Sequence, residues 1–500
     1  MMAAIRTTSG PNKAWRAAWM TQSGNAAPRE RAPRTMPSPV ASASRHPFAE
    51  PGIAADLDLR EAEIETAFAR LAETLEALAR QQFEAGFADR AVSALAALDI
   101  AADPAWFAAD WRHPVDMAAI EARCVMRLFA GLVETGSERR RYACEDGEPV
   151  DTLIRRWGFH AVDITPCADG RLAGLLGAVL RIPLSIVTTR RSFAGAMFSV
   201  AQSLRDWEAV ELGRCRTDRP NPPDAPSRYL KIGVYHFSSL DPAHEGCAAH
   251  GGDTDAARDA LHDRLRQFRA AVEARHGAGD RVALLLIGLD TDTDAIRVHV
   301  PDARGEMQAH RFVDAAELHA QTREMGREAA KEEVRRAVAH CAGVDPRNGT
   351  TEGMRWFCGY LLKNNIAQIE AVLRRHDGPY PVAGHDEKLI VIGDPVDDVQ
   401  LRNLAFQAQM DSVEEGAADL AVGVRILTET APGGVPVLVL KGYDPEIPGD
   451  RDASGAAAQR MASAVRLRFG AAPVTVEMAL RPGPGGRIEM LDAHEGRAPA

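Results

Sequence analysis

From about residue 150 onward the chain alternates short, β-branched apolar runs with segments of helical periodicity. No other feature constrains its fold as much. FHAVDI (159–164), RIPLSIVT (181–188), YLKIGVYHF (229–237), RVALLLIGL (281–289) and IRVHV (296–300) read as strands. Between Val234 and Val282, Ala257, Leu261, Leu265, Phe268 and Val272 share one helical face, with Asp253 or Thr254 as the cap. A long helix is expected over about 352–374. Near-continuous apolar strands separated by helices predict an α/β sheet covered on both faces.

The alternation resumes after GPYPVAGH (378–385). KLIVIGD, LAVGVRIL, VPVLVLKGY and VTVEMAL read as strands, with helices through VQLRNLAFQAQM and AAAQRMASAVRL. The element order suggests a second, diverged copy of the first α/β unit. It contains no cysteine after Cys358, so a copy would lack a thiolate site. Upstream, Ile64, Phe68, Leu71, Leu75 and Leu78 recur at helical spacing, and helical patterns continue through AVSALAAL and MAAIEARCVMRLFAGLVE. The expected organisation is a disordered basic tail (1–54), a helical domain (55–145), a catalytic α/β domain (146–385) and a diverged non-catalytic α/β domain (386–500).

Charge enters the argument at the tail. Residues 1–50 hold seven Lys/Arg and two Asp/Glu, whereas the whole chain is −11. A basic tail carrying Trp15 and Trp19 on an acidic body is suited to docking on an acidic protein. Neither a nucleic acid nor a membrane is expected as a partner: no apolar run reaches the roughly 18–20 residues of a membrane span. No secretory signal is evident, so export is not expected. The seven scattered cysteines show no disulfide-like spacing, which suits a reducing compartment.

Open α/β sheets place chemistry at strand ends, and two of these strand ends are unusual. One is Cys167-Ala-Asp169-Gly-Arg171. The other is YHFSSLDPAHEGCAAHGGD, with His236, His244, Cys247 and His250. Two cysteines and one of these histidines would make a Cys₂His set that leaves a fourth position open on zinc. Taken singly, each residue is as well explained as core filler; the joint pattern is what points to a metal. Asp290, Asp292 and Asp294 do not form a calcium loop, because Ala295 and Pro301 stand where glycine and an acid are needed.

Cys-x-Asp-x-Arg followed by a His and a Cys resembles the zinc site of β-class carbonic anhydrases. PCADGRL, GCAAHG and GLDTDTDAIRVHVPD resemble more particularly the carboxysomal shell carbonic anhydrase family, a divergent β-type group. The resemblance covers roughly residues 55–495, and its helical, catalytic α/β and metal-free α/β layout agrees with the organisation above. It implies one Zn²⁺ per chain on Cys167, His236 and Cys247, with zinc hydroxide attacking carbon dioxide. Asp169 would orient that nucleophile and Arg171 would restrain Asp169. His236 is selected because this family has its ligand histidine at the strand end. The His-x-x-Cys spacing of ordinary β-type enzymes would select His244 instead. His244 and His250 are then pocket residues or an alternative ligand.

The resemblance further implies bicarbonate and carbon dioxide as substrates, a carboxysomal location, supply of carbon dioxide to Rubisco, and a homo-oligomer built from dimers. The basic tail would contact Rubisco or shell proteins. Two other readings remain. One is a non-catalytic scaffold that recruits Rubisco around a structural zinc closed by a fourth protein ligand. The other is a thiol redox protein using Cys167 and Cys247.

Overall fold

The computed structural model describes residues 45–108, 115–133, 148–216, 228–277, 281–343, 352–382, 384–396, 402–430, 434–470, 474–483 and 486–491. Two sheets organise it. The first contains β1 (Phe159–Pro166), β2 (Val187–Arg190), β3 (Arg228–Phe237), β4 (Val282–Asp290), β5 (Ile296–His299) and β6 (Val313–Asp314), in the order β2-β1-β3-β4-β5-β6. β2, β1, β3 and β4 are parallel, and β5 and β6 are antiparallel. The second sheet contains β7 (Leu389–Gly393), β8 (Ala405–Gln409), β9 (Val435–Tyr443), β10 (Val474–Pro482) and β11 (Glu489–Leu491). Its order is β8-β7-β9-β10-β11, again four parallel strands and then an antiparallel one.

The order of the first five strands is therefore repeated in the second sheet. Aligning the last registered pairs, Pro166 with Val234 and Gly393 with Leu440, sets Asp394 against Cys167 and Gly442 against His236. Asp394 is bonded to Lys441 Nζ (3.1 Å) and to the Gly442 amide (2.6 Å). In the second unit these two positions hold each other.

The helix Thr254–His276 shows how the sequence builds the first layer. Asp253 accepts the Ala256 amide at 2.9 Å as N-cap, and Ala257, Leu261, Leu265, Phe268 and Val272 are buried along one face. Leu261 lies directly over Gly233 of β3, where a Cβ would sit 3.0 Å from it. The long helix Glu352–His376 joins the same core.

The helical region is not a separate body. Alternate residues of β7 and β9 point to opposite faces. Leu389, Val391, Leu438 and Leu440 share a core with the helices Pro51–Gln81, Phe87–Ala96 and Met117–Leu132. Ile390, Ile392, Val437 and Val439 pack with the helices Ala417–Thr430 and Asp450–Phe469. The N-terminal helices thus cover one face of the second sheet.

Several elements differ from the sequence reading. AFQAQ is strand β8, because it pairs along its whole length with β7. LAVGVRIL lies in the helix Ala417–Thr430: Leu420, Val424 and Leu427 fall on one buried face, and packing overrides their β-branched composition. RIPLSIVT yields only β2 at its end, since Leu175–Leu180 forms a π-helical turn that closes at Arg181. The basic tail is expected to run to residue 54, yet a helix begins at Pro51. His46 and Phe48 are buried, with Arg327 over the Phe48 ring. Residues 1–44, with Trp15 and Trp19, lie outside the described residues.

Candidate active site

The parallel β1 and β3 end side by side, so whatever follows them meets at one edge. Cys167 follows β1 and His236 is the penultimate residue of β3. The loop after β3 returns Cys247 to the same place. All three are buried and their donor atoms lie within 4.8 Å of one another. The two Sγ atoms are 4.0 Å apart. Two thiolates at ~2.3 Å from a tetrahedral zinc would be separated by ~3.8 Å, so the spacing suits that ion. Neither ring nitrogen of His236 makes a hydrogen bond within the described residues, although the ring is 1% exposed. An orphaned buried imidazole beside two thiols is what a metal site requires of its ligands. The Gly195 amide donates to Cys167 Sγ at 3.2 Å. The hydrogen bond shared by the two thiols raises the pKa of Cys167 and lowers that of Cys247.

Asp169 and Arg171 lie next to this cluster. Arg171 holds the carboxylate with two parallel bonds, Nε to Oδ1 at 2.9 Å and Nη2 to Oδ2 at 2.7 Å. Its Nη1 donates to the Glu245 carbonyl at 3.0 Å. Burial alone would raise the pKa of Asp169. The attraction of Arg171, then of His236 and His385, overcomes burial and holds the carboxyl well below the usual carboxylate range. Asp169 Oδ2 lies 3.4 Å from His236 Nε2, so the carboxylate faces the cluster.

The remaining candidate histidines separate. His244 is 79% exposed and pairs with Asp241, away from the three donors. His250 lies against Gly195, where a Cβ would meet its Nε2 at 2.6 Å. Gly195 has φ +65°, a conformation and a space that only glycine fits easily. The triple-aspartate segment braces the loop between His236 and Cys247. Asp290 accepts from the Ser239 amide and hydroxyl, and Asp292 from the Ser238 hydroxyl and the Leu240 amide.

The second unit completes the pocket. The free edge of β8 bonds to the segment carrying the dyad. The Gln407 amide donates to Ala168 O at 2.9 Å, and the Asn403 amide to Gly170 O at 2.8 Å. Phe406, Val422 and Ile426 then form an apolar wall facing Cys167, Asp169 and His236 across a space of about 10 Å³. His385, at the junction between the two α/β units, also lines this pocket. Its Nδ1 lies 3.2 Å from Glu387 and 3.8 Å from Asp169. Burial would lower its pKa, but Asp169 and Glu387 raise it to about 9. No local signal marks His385 or the apolar wall, since they reach the site only through pairing of the two sheets.

Known proteins resemble this chain along most of its length. Three family descriptions match in succession: Carboxysome Shell Carbonic Anhydrase, N-terminal, over residues 46–136; catalytic domain, over 149–385; and C-terminal, over 386–480. The carboxysome shell carbonic anhydrase of Halothiobacillus neapolitanus is 47% identical over 321 residues, which is 62% of this chain and 62% of that protein. For that relative the match thus spans under two thirds of its length. The protein of the same description from Parasynechococcus marenigrum is 40% identical over 439 residues, 85% of this chain and 74% of the relative. One from Prochlorococcus marinus is 38% identical over 86% of this chain and 84% of its own length. The chain belongs to the carboxysome shell carbonic anhydrase family.

Proposed function

We propose that this chain interconverts carbon dioxide and bicarbonate within the carboxysome, using one zinc ion held by Cys167, His236 and Cys247. The observation that carries this reading is the convergence of two buried thiols and a buried imidazole without a hydrogen bond beside the Asp169–Arg171 pair. Zinc bound there would supply Lewis acidity, bringing the pKa of a water ligand to about 7. Asp169 is kept ionised by Arg171 and accepts a proton-bearing donor at Oδ2, which fixes that donor's lone pairs toward the pocket. Arg171 keeps the carboxylate paired, so Asp169 orients without joining the donor set. Phe406, Val422 and Ile426 offer an apolar surface to carbon dioxide and exclude bulk water.

Stopped-flow carbon dioxide hydration with zinc quantified tests the reading. Active wild type with about one zinc per chain, and loss of both in Cys167→Ala and His236→Ala, is the expected result. A structural-zinc scaffold would need a fourth protein donor. Among the described residues the cluster contains three, and His244 stands apart from it. Inactive wild type that retains zinc would favour the scaffold. Supply of carbon dioxide to Rubisco and docking through the basic tail are also proposed. Unchanged encapsulation and Rubisco binding after deletion of residues 1–44 would refute the tail's part. Assembly from dimers is proposed as well, and sedimentation of the purified protein tests it.

A further inference from the structure

Glu387 is the first acidic side chain of the second unit to enter the site, and it is wholly buried. Its Oε1 accepts the amide of Gly170, the residue between Asp169 and Arg171, at 3.0 Å. Both of its oxygens lie 3.2 Å from His385 Nδ1. Its Cγ occupies the space beside Gly170, where an added Cβ would come within 2.8 Å of it. Two N–H groups from opposite sides therefore converge on one side chain. A carboxylate accepts both, whereas an amide offers one acceptor and turns a donor toward the second N–H.

The other charged groups at this point are Asp169 and Arg171, with Glu245 at the far side of the guanidinium, 3.9 Å from Nη1. Asp386 and Lys388, on either side of Glu387, pair with each other at 2.7 Å. His385 Nε2 lies 3.4 Å from Arg171 Nη2, so with Nδ1 turned to Glu387 the other ring nitrogen faces the dyad.

We infer that Glu387 is a positioning residue for the dyad: it holds the Gly170 turn and anchors His385 through its Nδ1–H, which turns Nε2 toward the dyad. The inference deepens the carbonic anhydrase reading and rests on it. Through Glu387, the unit without metal donors sets the geometry of the residues beside the metal cluster.

The test compares Glu387→Gln, Glu387→Met and His385→Gln in the full-length, zinc-loaded protein. Three quantities are measured: hydration kinetics, zinc content, and the ¹⁵N shifts and long-range ¹H–¹⁵N couplings of ¹⁵N-histidine-labelled protein. The His385 signals are assigned by their loss in His385→Gln. Glu387→Gln should retain one zinc per chain, lower kcat by roughly 10- to 100-fold with little change in KM, and shift the His385 nitrogen signals away from their wild-type positions. Glu387→Met should do the same more severely. Wild-type kcat together with unchanged His385 nitrogen signals in Glu387→Gln overturns the inference. So does loss of activity strictly in proportion to lost zinc, which would make Glu387 a fold residue only. Wild type that shows no hydration activity would sink the underlying reading, while the His385 nitrogen signals would still decide the role of Glu387.

Discussion

Replacing Arg171 with alanine should cost the protein about 3–5 kcal/mol, the range for removing one partner of a buried ion pair. The structure puts this substitution in that range and not with surface pairs. The two side chains are 0% and 3% exposed, and the pairing is bidentate. The loss would strand Asp169 in a pocket where burial opposes its charge. Lysine would keep the charge but lose the parallel bonds and should recover only part of the loss. The pH dependence gives a sharper test. In wild type the folded pKa of Asp169 lies below its unfolded value of about 3.9. Its contribution is therefore full above that value and is lost as pH falls through the folded pKa. In Arg171→Ala burial raises the folded pKa above the unfolded one, so ionised Asp169 is a cost at neutral pH that protonation relieves. Urea unfolding of zinc-matched proteins at pH 7.5 and 4.5 should show a gap that is large at the first and smaller at the second. A gap below about 1 kcal/mol at pH 7.5, or one that does not narrow in acid, would refute the argument.

Other outcomes follow from the same geometry. His244→Ala should keep its zinc, measured by metal analysis after dialysis against chelator, because its side chain points to solvent. Gly170→Ala should destabilise by about 1–3 kcal/mol in thermal unfolding and lower kcat, since the new methyl would sit 2.8 Å from Ala405 O. Phe406→Ala, at a side chain 1% exposed, should cost about 3–5 kcal/mol and raise KM while zinc is retained. His46 stacks on His319, and burial, then the neighbouring His319, lowers its pKa to about 4 from an ordinary 6.5. Docking of residues 45–50 is therefore complete above about pH 6.5 and weakens as pH falls toward 4. Limited proteolysis at the N-terminus should accelerate over that interval, and His46→Phe should remove the dependence.

The candidate metal donors and the Asp169–Arg171 pair stood out in the sequence because one strand end compresses Cys167, Asp169 and Arg171 into five residues, and a second strand carries His236 next to its last residue. Spacing along the chain there equals closeness in space. His385, Glu387 and Phe406 lie more than 200 residues beyond Cys167 and arrive only because β8 bonds to the Ala168–Gly170 segment. No local pattern encodes that pairing. The exchange of strand and helix over residues 405–430 has the same origin. AFQAQ is too short for its period to decide its state, and LAVGVRIL has strand composition on a helical face. Partnership with β7 fixes the first, and the sheet beneath fixes the second. The end of the expected tail was misplaced because His46 and Phe48 look like tail residues until their slot against Arg327, His319 and Glu370 is formed.

The repeated sheet has a consequence for how the site can change. In a symmetric dimer every substitution appears twice, so a residue that suits the wall of one pocket must also be tolerated where it adjoins the ligands of the other. Here the two halves are written separately. Asp394 and Gly442 stand where the second unit would otherwise carry Cys167 and His236, and they hold each other. Phe406, Val422, Ile426 and Glu387 can therefore be tuned for the pocket they face without altering any metal donor. With the proposed site built once, its two sides can change independently of each other.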